Sequence, residues 1–196
     1  MPSIAMMWQR LDAPGHEVAT LRPLEGGWLL EGTVLVANEE RPCRLVYVIR
    51  CDFEWRTSRV EVHGEIGNAS VRLELTRSTD SEWNANGQHM RNVAGCLDID
   101  LGFTPATNLL PIRRLRLGVG DQAGVRAAWV RFPELTLEPL DQVYTRLSTE
   151  RYLYESAGGA FRRELTVDEH GFVLEYPKLW RAVCHSAEQT TALLGK

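Results

Sequence analysis

Between residues 59 and 76 apolar and polar side chains alternate with a period of two. Val60, Val62 and Ile66 are interleaved with Arg59, Glu61, His63 and Glu65, and Val71, Leu73 and Leu75 with Arg72, Glu74 and Thr76. Successive side chains of a strand point to opposite faces, so each run predicts a strand with one buried and one wet face. Gly67-Asn68, between the runs, supplies residues that readily take the positive φ of a tight hairpin turn. Segments 28–37 and 43–51 predict a second hairpin around the polar stretch 38–42. Further strands are expected near 112–119, 124–132, 134–140, 150–156 and 160–167, with turns at 121–124 and Gly158-Gly159. Helical signals are confined to a short turn over 105–110, with Thr104 as cap and Pro105 at the first position, and to a tail near 180–193. Strands follow strands without intervening helices, which argues against a parallel doubly wound sheet. The pattern predicts one all-β domain over 1–196: a single strongly curved, many-stranded antiparallel sheet with minor short helices.

Composition narrows the class of partner. A chain of 196 residues can bury about 70% of its unfolded surface without disulfide or metal staples. A formal net charge of -4 argues against nucleic acid or an anionic membrane surface as the main partner. Only two of the 22 basic residues are lysines, Lys178 and Lys196. The positive charge is therefore almost wholly guanidinium, suited to two-point contacts with carboxylate or phosphate, although high genomic G+C content biases composition the same way. Cys43, Cys51, Cys96 and Cys184 lie far apart, form no CxxC pair and read as buried free thiols. No basic start leads into an apolar run, and no window reaches the length of a transmembrane segment, so a soluble cytoplasmic protein is expected.

The densest candidate chemistry lies in 95–117, GCLDIDLGFTPATNLLPIRRLRL. Asp98, Asp100, Thr104, Thr107, Asn108, Arg113, Arg114 and Arg116 sit there inside an apolar run. A buried polar group without a partner costs about 1–3 kcal/mol, so these groups must pair with one another or serve a ligand. Read as strands, 97–101 sets Asp98 and Asp100 opposite Leu97, Ile99 and Leu101, while 112–119 sets Arg113 on the same face as Leu115, Leu117 and Val119. A guanidinium on an apolar face needs a carboxylate, and Asp98 or Asp100 paired with Arg113 is the simple resolution. The Asp-Ile-Asp pair resembles the DxD element with which glycosyltransferases hold a divalent metal and a nucleotide-sugar. That element closes a strand in an α/β fold, which this pattern lacks. There is no EF-hand loop, nucleophile elbow, HExxH, Gly-rich phosphate loop or metal-type histidine spacing. No metal, cofactor or catalytic residue is assigned. Trp55 adjoins Arg56, and Tyr152, Tyr154, Tyr176 and Trp180 gather toward the C-terminus. An apolar ring with a polar tip suits an amphipathic or sugar-bearing ligand as well as an ordinary β core.

The blocks CDFEWRTSRVEV, GCLDIDLGFTPATNLLPIRRLRL, AAWVRFPELTLEPLDQVY and VDEHGFVLEYPKLW occur in the same order as in the putative glycolipid-binding family, formerly a bacterial domain of unknown function. The chain resembles that family over roughly residues 26–182; Ser58 stands where the resemblance leads one to expect a second basic residue after Trp-Arg-Thr. The resemblance implies a spiral β-roll similar to bacterial lipoprotein carriers that hold acyl chains in a concave sheet, and a glycolipid-related role. On this reading the protein is a non-catalytic binder of an amphipathic small molecule, a glycolipid or its fatty-acyl precursor. Its inner face would hold the acyl chain. Trp55, Arg56, Asp98, Asp100, Thr104, Thr107, Asn108, Arg113, Arg114 and Tyr154 would line or support the polar end. Two other readings stay open. One is an acid/base or metal-dependent enzyme acting on a sugar or acyl ester through Asp98 and Asp100. The other is a partner-binding β module that works through an exposed strand edge.

Overall fold

The computed structural model describes residues 3–187. Fifteen strands form one sheet, curled but unclosed. Eight follow one another as antiparallel neighbours along the first arm: β1 (Ile4–Arg10), β2 (Gly15–Leu24), β3 (Gly27–Asn38), β4 (Arg41–Asp52), β5 (Thr57–Ile66), β6 (Ala69–Arg77), β7 (Trp83–Ala85) and β8 (Gln88–His89). The second arm comprises β9 (Asp98–Leu101), β10 (Gln122–Val130), β11 (Leu137–Arg146), β12 (Arg151–Ser156), β13 (Phe161–Val167), β14 (Val173–Tyr176) and β15 (Trp180–Ala187). The arms join where β15 pairs antiparallel with β1.

Alternation builds the inner face. Val60 pairs with Ile49 and Leu75, and Val62 with Tyr47 and Leu73; all six are buried, so their rows stack into the core while Glu61 and His63 face out. Two glycines allow close approaches. A Cβ on Gly32 would lie 2.5 Å from the Tyr47 hydroxyl, so its absence lets that ring cross the strand. Gly64 has φ +152°, and a Cβ there would meet the Arg44 carbonyl oxygen at 1.9 Å. Gly64→Ala is therefore expected to cost at least about 2 kcal/mol of stability, seen as a lower urea midpoint at unchanged slope. A loss below about 0.5 kcal/mol would show that the β4–β5 pair yields without strain.

The link that matters for the site is the one between β9 and β10. They are parallel, so the chain must return from the end of one to the start of the other. Residues 102–121 make this crossover along the inner side of the sheet, through a 3-10 turn (Ala106–Asn108) that leads into helix α1 (Leu109–Leu115). Phe103, Ala106, Leu109, Leu110 and Ile112 are buried, and Phe103 packs on Tyr47 and Phe132. The crossover thus adds its own apolar side chains to the core on the inner side of the curl. At its start the Thr104 hydroxyl accepts the Ala106 N–H at 2.9 Å, but Pro105, not Thr104, takes the N-cap position of the 3-10 turn, one residue later than the sequence predicts.

The structure corrects several expectations. Segment 112–119 is the end of α1 and the loop after it, not a strand. A seven-residue helix makes only about two turns, too few to display its period, and the alternation of Leu115, Leu117 and Val119 imitates a strand. The expected helix near 180–193 is strand β15 as far as Ala187, and 188–193 lie outside the described residues. β1, β2 and β14 carry no alternation clear enough to have been predicted. Cys43, Cys51 and Cys96 are buried, but Cys184 is exposed. No helix is long and apolar enough to cross a membrane among the described residues.

Candidate functional site

Where α1 ends, a cleft of about 530 Å³ opens between the crossover and the second arm. Its lining includes Trp55, Ile112, Arg113, Arg116, Arg146, Tyr152 and Val167, with Glu150, Asp168 and Glu169. The positions of these side chains follow from local structure. Trp55 sits at φ +66° in the β4–β5 corner, which Asp52 braces by accepting the Glu54 and Arg56 N–H groups at 2.9 Å each. Trp55 stacks on Trp28 with centroids 4.6 Å apart and planes 11° from parallel. The Arg113 guanidinium lies 5.0 Å from the Trp55 ring centroid. Trp55 thus contacts Trp28 and Arg113 together, and its ring holds the guanidinium at the cleft by a cation–π contact.

Arg146 is held in a similar way. Its guanidinium lies 5.7 Å from the Tyr152 ring centroid and donates to the carbonyls of Leu117, Ser148 and Thr149 at 2.7, 3.2 and 3.2 Å. Arg116 closes the helix in the left-handed conformation and is exposed. Gly171, at φ +93°, leaves room for Leu109, Ile112 and Arg113, each within 3.4 Å of where a Cβ would stand. Asp168 ties off that loop by accepting the His170 and Phe172 N–H groups at 3.0 and 2.8 Å.

Behind the cleft two part-buried polar contacts, Arg114–Asp98 and Asn108–Tyr144, fasten the crossover to the sheet, and a third, Asp100–Gln142, ties β9 to β11. Asp98 on β9 takes Nε of Arg114 at 2.9 Å and Nη2 at 2.6 Å. Asp100 accepts the Gln142 side-chain amide at 2.6 Å, and burial pushes its carboxyl up to about 6. The Tyr144 hydroxyl donates to Asn108 at 2.9 Å. Burial also raises the Asp98 carboxyl, with Arg114 pulling against it. Deeper still, Glu17 on β2 is 1% exposed. Its Oε1 accepts the hydroxyls of Tyr47 and Thr104 at 2.6 Å each, and its Oε2 has no partner. Burial pushes this carboxyl up to about 8, against the two hydroxyl bonds.

Of the residues singled out in the sequence, Trp55 and Arg113 line the cleft. Arg56 and Arg114 line an adjoining hollow that also includes Arg116. Asp98, Thr104 and Thr107 are buried, and Asp98 and Asp100 do not line the cleft. Asn108 sits within the crossover. Tyr154 belongs to a buried aromatic cluster with Tyr144, Phe161 and Tyr176. The expected partner of the central carboxylates was Arg113; the observed partner of Asp98 is Arg114, because α1 turns Arg113 toward Trp55. Arg146, Asp168 and Glu17 escaped the sequence reading altogether. Only Glu17 left a trace, a carboxylate at the position of β2 that faces inward with Ala19 and Leu21.

The cleft thus offers guanidinium donors, carboxylate acceptors on the rim, and an apolar wall of Ile112, Val167 and Tyr152. Such a lining can hold a polar group by hydrogen bonds while an alkyl portion lies against the wall.

The comparisons agree with this architecture. A crystal structure of a DUF1089 family protein from Pseudomonas aeruginosa superposes with a TM-score of 0.76 at 34% identity, covering 84% of this chain and 91% of that one. A beta-barrel-like protein of the domain of unknown function DUF1849 from Brucella abortus shares the fold, with a TM-score of 0.57 at 7% identity over 96% and 98% of the two chains. No functionally curated protein matches the chain. The family described as "Putative glycolipid-binding" matches residues 5–182, and with nearly its whole length covered the chain belongs to that family.

Proposed function

We propose that the protein binds an amphipathic glycolipid-type molecule without transforming it, and that the polar head of the ligand sits in the cleft beside Trp55, Arg113 and Arg146. One observation carries this reading. The Arg113 guanidinium, held over Trp55 with no protein hydrogen bond among the described residues, faces a cleft whose wall is apolar and whose second cation, Arg146, is fixed beside Tyr152, so a positioned donor stands next to a surface for an alkyl chain. The family assignment supports a glycolipid as the class of ligand. Because Phe103, Leu109 and Leu110 are buried in the core beside the cleft, the tail of the ligand starts from the Ile112–Val167 wall.

Native mass spectrometry of gently purified protein tests this. A stoichiometric adduct that releases glycosyl and acyl fragments on extraction is expected, and Arg113→Ala should abolish it in a protein that still melts cooperatively. A clean mass after incubation with bacterial lipid extract would remove the proposal.

A further inference from the structure

We infer that the head group taken by this cleft is anionic, a carboxylate or a phosphate ester held by Arg113 with Arg116 as the outer cation. The inference rests on the glycolipid reading above and narrows its ligand. The charges are placed unevenly. Arg114, on the same helix, has its carboxylate in Asp98, but Arg113, Arg116 and Arg146 form no ion pair among the described residues. Arg146 spends its donors on three carbonyls. Arg113 makes no hydrogen bond among the described residues; its guanidinium lies over the Trp55 ring, and its N–H groups have no protein acceptor there.

The acidic residues of the lining form no ion pair with Arg113 or Arg116 among the described residues, although Asp168 acts on Arg113 from a distance. One oxygen of Asp168 is committed to two backbone N–H groups of its own turn. Glu169 is almost fully exposed and leans toward His170, and Glu150 is exposed. Arg113 is half-buried with a second cation, Arg116, near it, and both burial and that neighbour lower its hold on its proton while Asp168 opposes them. A guanidinium partly removed from water with no carboxylate in contact is unfavourable, and the distant charge of Asp168 and the cation–π contact with Trp55 offset only part of that. A bound anion would supply the missing partner through short, charge-assisted hydrogen bonds.

The test compares three probes by calorimetry at one fixed low salt concentration: octyl glucoside below its micelle concentration, octyl glucuronide, and free glucuronate. Octyl glucuronide should bind about tenfold or more tighter than octyl glucoside, the gain of one or two charge-assisted hydrogen bonds. Arg113→Met, which keeps the apolar stem on Trp55, should erase that gap. Arg116→Asn, a residue suited to the left-handed position, should narrow it. Equal binding of the two octyl glycosides would overturn the anionic inference and leave the glycolipid reading intact. Free glucuronate binding as tightly as its octyl form would keep the anion and overturn the lipid. Binding of none of the three would overturn both.

Discussion

Asp98→Ala should destabilise the protein by about 3–5 kcal/mol, the cost of leaving a buried charge without its partner. Asp98 is 1% exposed and meets Arg114 through two nitrogens, so the mutation strands a guanidinium whose side chain is only 18% exposed. The loss also has a geometric consequence. Asp98 lies on β9 and Arg114 on α1, and the pair ties the crossover helix to the edge strand that its own chain has just left. The double variant Asp98→Ala/Arg114→Met removes both charges and should recover at least half of the loss, because an apolar pair of similar volume replaces an ion pair with little net change. Urea unfolding of the wild type, both single variants and the double variant gives the coupling. If the single and double variants lose equal stability, the pair is not what fastens α1.

This brace also shows where sequence reading succeeds and where it stops. The β5–β6 hairpin was legible because Val60, Val62, Leu73 and Leu75 are buried while Glu61, His63, Arg72 and Glu74 on the other face are not, and the β3–β4 hairpin because two apolar runs flank the polar stretch 38–42. β2 was not, since it reverses the rule at its centre: Glu17 points into the core and Val18 is 46% exposed. The central segment announced its polar groups but not their partners. With Arg113 and Arg114 on a strand, neighbours face opposite sides; on a two-turn helix they diverge by about 100°, which sends Arg114 to Asp98 and Arg113 to Trp55. Which of two adjacent arginines braces the fold and which faces the ligand is decided by that rotation. Arg146 lies beyond the reach of local pattern, because its position in the cleft comes from the packing of β11 against a loop after α1.

Glu17 gives the second large effect, a stability that falls as pH rises through neutrality. The carboxyl has an ordinary value of 4.5 and is pushed up to about 8 by burial, so across that interval the folded protein keeps a proton that the unfolded chain has released. The unfolded chain then binds fewer protons, and each unit of pH removes about 1.4 kcal/mol. The contribution of Glu17 is full below 4.5 and lost by about 8, on the order of 4 kcal/mol in all. Asp100, pushed up to about 6, adds a second proton to the lower part of the same interval, so the fall should be steeper below pH 6 than above it. Tyr47, the titratable neighbour, stays protonated because burial and Glu17 both raise it. Glu17→Gln isolates the effect. The amide still offers Oε1 to Tyr47 and Thr104, but its nitrogen replaces an oxygen that already lacks a partner, which costs about 1–2 kcal/mol at every pH. The wild type should therefore be the more stable at pH 5 and the variant at pH 8, with the two curves crossing between. Curves that run parallel from pH 5 to 8 would mean that Glu17 is ionised in the folded protein, and that the Tyr47 and Thr104 hydroxyls alone suffice to hold a buried charge.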